Sequence, residues 1–486
     1  MRNISILLLY LGLFSAGCGR PGTLVPAKVC PEPEQVVYQE MELVGFIHFG
    51  MNTFTNREWG FGDEDPALFN PVGLDAGQWA RAAKEAGMGE LILTAKHHDG
   101  FCLWPSSYTD HCIKNSPYKN GNGDIVREFV EACRREGLKV GIYLSPWDRN
   151  HPDYGTPAYI TYYRNQLREL LTAYGEINEI WFDGANGGTG YYGGAREERR
   201  IDRTSYYDWP GTFALVKELQ PGIRIFSDAG PDIRWVGNEN GFAGETFWST
   251  IDPSRLVIGG SDPTYLNTGD PEGTKWIIGQ CDVSIRPGWF YHPAEDSLVK
   301  SSGRLFDIYL KSVGRNAVLL LNLPPDTNGL LPAGDVKVLK EFGELVDQAF
   351  AINLARNRKA RVSTLQGRSR ETTVMTLTDG DRSTFWSGRE GEKYSIRIET
   401  NSSETVDCIV LSEPIAFGQG IEAFRVMAMD SDGSMTEIAA GTTIGYKRIL
   451  SFPPVQSAAL CVLVDSARAQ PALSEISLYH ISREEN

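Results

Sequence analysis

From about residue 43 to 350, short runs of consecutive apolar residues alternate with longer stretches whose apolar positions recur every three or four residues. The short runs suit strands buried on both faces, and the longer stretches suit helices with one buried side. Leu43-Val44-Gly45-Phe46-Ile47 opens the strand series, followed by Glu90 to Thr94, Leu138 to Tyr143, Glu179 to Phe182 and Ile223 to Phe226. A sixth run falls between Arg234 and Trp248, and Trp276-Ile277-Ile278 and Ala317 to Leu321 complete the set. Helical stretches lie near Ala76 to Ala86, Ile125 to Glu136, Ala158 to Tyr174, up to Leu219, and Ser297 to Ser312. Asp124 stands where the second of these needs an N-cap, and Gly137 where it needs a stop. About eight such βαβ units predict an α/β fold, a TIM-like (β/α) barrel over residues 35–350. No GxGxxG follows the first run, which counts against a doubly wound sheet.

Beyond Ala351-Ile352-Asn353-Leu354-Ala355 the alternation stops. Tyr394 to Ile398, Asp407 to Leu411 and Phe424 to Ala428 are short β-type runs separated by turn residues, so residues 351–486 are expected to form a β-sandwich. At the other end, Met1-Arg2-Asn3, the apolar run Ile4 to Phe14 and the small residues Ser15-Ala16-Gly17 read as a secretory signal peptide, 1–17, too short to span a bilayer. Cys18 after Ser-Ala-Gly resembles a bacterial lipobox, with Ser15 in place of the usual Leu. A lipidated Cys18, a proline-rich tether over residues 18–34 and an exported periplasmic or outer-membrane lipoprotein of a bacterium are then expected.

Composition narrows the partners. With 47 Lys+Arg against 62 Asp+Glu the net charge is −15, which argues against a nucleic-acid backbone or an anionic surface and is compatible with a neutral ligand. The 11 Trp, 20 Tyr and 21 Phe include enough flat apolar faces to line a sugar site besides filling cores. The 8 Cys are widely spaced with no CxxC, so zinc ribbons and dithiol redox sites are not expected, and Cys133 and Cys281 read as buried thiols.

In a barrel the chemistry sits where strands end. His48 ends the first predicted strand, Lys96-His97-His98-Asp99 the second, Tyr143 to Asp148 the third, Asp183 the fourth and Asp228 the fifth, while Asp282 follows the seventh. Four of the 7 His (His48, His97, His98 and His151) fall at or just past strand ends, which predicts a polar pocket at one barrel face. Acidic groups in an aromatic pocket suit glycoside hydrolysis, which needs one carboxylate at the anomeric carbon and one carboxylic acid beside the leaving oxygen. Asp183, in Trp181-Phe182-Asp183-Gly184, is the candidate for the first. Glu239 and Glu245 share one loop and spacing does not choose between them.

Phe46-Ile47-His48-Phe49-Gly50, Glu58-Trp59, Lys96-His97-His98-Asp99-Gly100-Phe101, Gly141-Ile142-Tyr143-Leu144-Ser145-Pro146-Trp147 and Trp181-Phe182-Asp183-Gly184 together resemble the motif series of alpha-L-fucosidases, glycoside hydrolase family 29. The resemblance implies a retaining exo-hydrolase of fucosylated glycans that needs no cofactor and no metal, with Asp183 as nucleophile. It implies that His48, Glu58, His97 and His98 hold sugar hydroxyls, that Trp59 and Trp289 face the apolar side of fucose, and that Tyr143 lies near the nucleophile. Trp235-Val236-Gly237-Asn238-Glu239 resembles the acid/base segment of the subgroup acting on alpha-1,3 and alpha-1,4 branches, which favours Glu239 over Glu245. Leu377 to Trp386 resembles the discoidin (factor 5/8 type C) module, a carbohydrate-binding partner of glycosidases, in which Asp379-Gly380-Asp381 is either a calcium-holding or an ordinary turn. Two other classes stand beside this one: a metal-dependent hydrolase using His97, His98 and Asp99, and a catalytically silent fucosyl-glycan-binding protein. Adjacent His residues on a strand point to opposite faces, which counts against the former.

Overall fold

The computed structural model describes residues 24–365 and 370–481. The leader at 1–17 and Cys18 lie outside the described residues.

Eight parallel strands close into a barrel: β1 (Leu43–Ile47), β2 (Glu90–Lys96), β3 (Lys139–Leu144), β4 (Glu179–Trp181), β5 (Arg224–Ser227), β6 (Ile233–Trp235), β7 (Ile278–Ser284) and β8 (Val318–Asn322), with β8 pairing back onto β1. Strand alternation sorts their apolar residues into two sets. Val44, Phe46, Ile92, Tyr143, Trp181, Phe226, Val318 and Leu320 fill the barrel interior. Leu43, Ile47, Leu91, Leu93, Ile142, Ile180, Leu319 and Leu321 point outward into the layer under the helices. That two-sided burial is why the strands are unbroken apolar runs in the sequence.

The covering helices are α2 (Ala76–Glu85), α3 (Ile125–Glu136), α4 (Pro157–Ala173), α5 (Trp209–Leu219), α6 (Ser302–Ser312) and α7 (Ala333–Ala349), preceded by the short α1 (Pro33–Gln39). Asp124 accepts the Arg127 N–H at 2.9 Å and Gly137 ends α3 at φ 73°, as the residue types require. Two expected elements shift. Trp276 belongs to a side hairpin with Thr250–Ile251, and the seventh barrel strand begins at Ile278, so Asp282 lies within it. The helix expected from Ser297 starts at Ser302 because Ser301 caps it, accepting from Arg304 N at 3.2 Å.

After α7 the structure is antiparallel sheet. A six-stranded sheet (Ala360–Thr364, Thr372–Val374, Tyr394–Glu399, Ile421–Met429, Met435–Gly441, Ala459–Ala467) and a three-stranded one (Val406–Ser412, Arg448–Val455, Glu475–Tyr479) share one apolar cluster. Val406–Ser412 is buried along its whole length. Its Ile409 and Leu411 face that cluster, while Cys408 and Val410 join the barrel's outer core. At the other chain end, Ala27 N donates to Phe417 O at 2.8 Å, so the segment before α1 runs along this sheet region. Within the Asp379-Gly380-Asp381 turn, the acidic oxygens accept from Asp381 N, Thr384 Oγ1 and Ser383, as in an ordinary turn.

The end of the barrel near α1 carries a buried polar layer. Arg224 Nη2 donates to Glu90 Oε2 at 2.9 Å, while Glu179 faces the Gln280 amide at 3.3 Å, and both carboxyls are fully buried. One guanidinium serves two carboxyls, so burial and then the Glu90 charge push the Glu179 carboxyl upward. A raised folded-state pKa contributes stability that is complete below the unfolded carboxylate range and is lost as pH climbs through the folded value. Glu179→Gln, which needs no proton, is therefore expected to match wild type near pH 5 and to outlast it in urea as pH rises toward 9. Parallel stability profiles for the two proteins would refute the shared-proton account.

Candidate active site

Every barrel strand presents its C-terminal end to one face, and the side chains there line a single cavity of about 550 Å³. Its walls include His48, Glu58, Trp59, His97, His98, Asp183, Asp228, Trp235, Glu239, Asp282 and Trp289.

Asp183 lies two residues past β4. Its Oδ2 accepts from the Tyr143 hydroxyl at 3.0 Å and its Oδ1 from Ala185 N at 2.7 Å. Tyr143 projects from inside the barrel, so the nucleophile candidate rests on the packed interior. Glu239, on the loop after β6, accepts from the Trp289 indole N–H at 3.2 Å. Burial, and to a smaller degree the charges of Asp183 and Glu58, raise its carboxyl, with the indole N–H pulling the other way. Asp228 is pushed up to about 7, by burial first and then by Asp183. Asp282 is likewise raised well above its ordinary value, by burial first and then by Glu239, although Trp235 Nε1 donates to it at 2.8 Å.

Glu58 works on the backbone as well as lining the cavity. Its carboxylate accepts from Trp289 N at 2.9 Å, Phe290 N at 3.1 Å and His292 Nε2 at 2.6 Å, which anchors the loop carrying Trp289. Trp59 is 53% exposed and stands edge-on to His98 and Trp147, forming a rim.

Three imidazoles form the inner wall, and each is held from behind through Nδ1. His48 pairs with Asn322 Oδ1 at 2.8 Å, His97 with Asn52 Nδ2 at 3.2 Å, and His98 with Ser145 Oγ at 2.7 Å. Burial, the largest cause in each case, keeps all three neutral: His48 is lowered to about 3, His98 to about 4 and His97 well below the ordinary value. His98 Nε2 and Asp183 Oδ2, 3.8 Å apart, are therefore a polar contact and no ion pair.

His97 and His98 both face the cavity, contrary to strict strand alternation. The pairing of β2 with β3 shifts register between Thr94 and Lys96, and a turn closed by Gly100 N to His97 O follows, so the two rings leave the pleat and lie 4.0 Å apart between centroids. Asp99 does not join them, because its carboxyl is buried against Phe101 N and beside Glu64. A His97/His98/Asp99 metal triad thus does not converge. His151 is also displaced from the pocket and packs on Tyr162 with ring centroids 3.9 Å apart. Asp148 is spent on the buried Lys96 at 3.0 Å.

Glu239 and Glu245, left equivalent by spacing, separate completely. Glu245 lies outside the cavity and bridges Arg315 and Arg448, the latter on Arg448–Val455 of the C-terminal region. Asp228 and Asp282, read from the sequence as strand-end polar residues without a role, line the pocket, as do Trp235, Phe290 and the loop Gly259-Gly260-Ser261. Trp235 carried a signal, being the last residue of a strand and four residues before Glu239. The 259–261 loop carried none, since only the fold brings Gly259 N within 3.0 Å of Asp228.

The profile of the family described as alpha-L-fucosidase matches residues 34–349. Alpha-L-fucosidase 1 of Arabidopsis thaliana is 42% identical over 460 residues, spanning 93% of this chain and 88% of that protein. Among solved structures, a glycoside hydrolase 29 family member from an unknown rumen bacterium superposes with a TM-score of 0.85 at 43% identity, over 94% of this chain and 78% of that one. A Ruminococcus gnavus GH29 fucosidase in complex with fucose gives a TM-score of 0.85 at 31% identity, over 96% and 98% of the two chains.

Proposed function

The chain belongs to the alpha-L-fucosidase family, glycoside hydrolase family 29, and is a glycoside hydrolase; we propose that it releases terminal alpha-1,3- or alpha-1,4-linked fucose from branched glycans in two covalent steps. The observation that carries this is the pairing of Asp183, hydrogen-bonded by Tyr143, with Glu239, raised by burial, in one cavity. A carboxyl raised in this way can hold the proton that the leaving oxygen needs, while the other carboxyl of the pair serves as nucleophile. A cavity of about 550 Å³ at one end of a filled barrel suits a glycan terminus, and a solved relative holds fucose.

In the first step Asp183 attacks the anomeric carbon, the bond to the leaving oxygen breaks, and Glu239 gives that oxygen its proton. In the second step Glu239 takes a proton from water, the water oxygen attacks the same carbon, and the ester bond to Asp183 breaks. His48, Glu58, His97 and His98 meet sugar hydroxyls, and Trp59 and Trp289 cover the apolar side. Two inversions at one carbon give retention.

The C-terminal region is read as a discoidin-type β-sandwich that supports the barrel. Export and a lipid anchor at Cys18 follow from the leader sequence. Cys18→Ser is expected to move the protein from the membrane fraction to the soluble one, and an unchanged distribution would remove the anchor.

Asp183→Asn is expected to lose at least about 10³-fold in kcat on an aryl fucoside while still binding L-fucose. Glu239→Gln is expected to lose about 10²- to 10⁴-fold on a glycan with an alcohol leaving group. Glu245→Ala is expected to keep turnover within about threefold and to lose about 1 kcal/mol of stability, because its carboxylate is largely exposed. Full activity in Glu239→Gln, or loss of it in Glu245→Ala, would reassign the acid. A separate comparison tests the linkage: hydrolysis of a branched Lewis-type trisaccharide faster than an aryl fucoside supports the branch-specific reading, and equal rates on both contradict it.

A further inference from the structure

We infer that His48, His97 and His98 present a fixed acceptor–donor–acceptor pattern to the sugar, set through their tautomers by Asn322, Asn52 and Ser145; the assignment of the sugar as fucose rests on the reading above. A neutral imidazole has one N–H and one lone pair, so whichever is used behind the ring decides what the other nitrogen offers in front. All three rings are neutral and buried, which leaves the tautomer as their only variable.

For each ring the partner behind has no freedom. Asn322 Nδ2 donates to the Trp289 carbonyl at 2.8 Å and to Ser284 Oγ at 2.9 Å, while its Oδ1 accepts the His48 backbone N–H at 3.3 Å. A carbonyl can only accept and a backbone N–H only donate, so the amide orientation is fixed and His48 Nδ1 must carry the proton. Asn52 is pinned at both ends in the same way, its Nδ2 donating to Glu58 O at 3.0 Å and its Oδ1 accepting from Gly60 N at 2.8 Å. Its second amide hydrogen meets His97 Nδ1, which must be bare. Ser145 has one hydroxyl proton and two partners, Trp147 O at 2.6 Å and His98 Nδ1 at 2.7 Å; a carbonyl can only accept, so both contacts are hydrogen bonds at once only when Ser145 donates to Trp147 O and His98 Nδ1 carries the proton.

In front, then, His48 Nε2 and His98 Nε2 are acceptors and His97 Nε2–H is a donor. His97 stands between the other two, with ring centroids 5.8 Å from His48 and 4.0 Å from His98. A hydroxyl that meets His48 or His98 must donate its proton, and one that meets His97 must accept. The arrangement also protects the chemistry. With its lone pair toward Asp183 Oδ2 at 3.8 Å, His98 cannot donate to the nucleophile and quench it, and the gap between the two acceptors calls for a donor hydroxyl from the substrate. Ser145 is thus a positioning residue for the substrate hydroxyl that meets His98, acting through the His98 ring.

The test is a long-range proton–nitrogen correlation spectrum of the full chain labelled with 15N, in which protonated and bare ring nitrogens resonate far apart, with signals assigned from single histidine substitutions. The expected result is Nδ1-protonated His48 and His98 and Nε2-protonated His97 in the free protein. Any one of the three in the opposite tautomer overturns the pattern. Ser145→Ala is expected to mix the His98 tautomers while leaving His48 and His97 unmoved, and to lower kcat/KM about tenfold, in the range typical of groups that orient a ligand from behind. Ser145→Thr, which keeps the hydroxyl, is expected to restore the His98 signal. An unmoved His98 in Ser145→Ala removes the serine from the scheme, and the wild-type spectrum decides the tautomers even where a variant does not fold. Added L-fucose is expected to shift all three signals. If the free-state tautomers hold but fucose leaves them unmoved, the proton pattern stands and the ligand assignment falls.

Discussion

Five carboxyl groups, Glu58, Asp183, Asp228, Glu239 and Asp282, line one cavity, and among the described residues that wall contains no lysine and no arginine. Like charges at that density cannot all ionise where water is sparse. The rest of the site is arranged around that constraint. Asp228, Glu239 and Asp282 are pushed toward their protonated forms. Glu58 disperses its charge over two backbone N–H groups and His292, and Asp183 over Tyr143 and Ala185 N. Lys96 is held by Asp148 and Gln166, over the rings of Tyr159, Tyr162 and Tyr163, and Arg149 is held outside the wall by the Thr189 and Gly60 carbonyls. A cation in the cavity would oppose the rise of Asp228, Glu239 and Asp282 and so work against keeping a proton there.

The same constraint explains why the polar recognition groups are neutral. Imidazoles buried against the barrel interior offer donors and acceptors without adding charge, and their burial is what holds them uncharged. They can be buried because each has a fixed partner behind it, on a different element: Asn322 at the end of β8, Asn52 after β1, and Ser145 just past β3. The barrel supplies that convergence, since closing eight parallel strands brings residues far apart in sequence to one rim.

Much of this was legible in the sequence, and the exceptions have physical causes. Unbroken apolar runs marked six of the eight barrel strands because both faces of a barrel strand are covered. β6 was the vaguest, being three residues long, and Trp276 misled because its ring packs with the barrel interior while its backbone pairs with Thr250 outside the barrel sheet. Asp183 stood out through its place directly after the apolar run Glu179 to Phe182. Spacing left Glu239 and Glu245 equivalent and only the family resemblance favoured Glu239, because what separates them in space is Arg448, more than 200 residues from Glu245 in the chain. The facing of His97 and His98 was also hidden, since a register shift at the end of β2 is a property of paired strands and not of either strand alone.

The C-terminal region bears on the chemistry through the segment that follows Glu239. Phe247 N donates to Thr443 Oγ1 at 2.9 Å, and Gln419 accepts from Ser249 N at 3.1 Å while donating to Phe247 O at 2.9 Å. Arg448 reaches back to Glu245 at 2.8 Å. This loop has almost no regular structure of its own, because β6 is short and no long helix follows it before β7. Its own hydrogen bonds centre on Asn238, which donates to Phe242 O at 3.0 Å and accepts from Asn240 N at 3.1 Å, and the segment beyond depends on external contacts to hold its place. The antiparallel sheets therefore do for the loop behind Glu239 what the covering helices do for the other strand ends. They turn an irregular segment into a fixed mount, so that Glu239 stands on a loop whose support comes from outside the barrel.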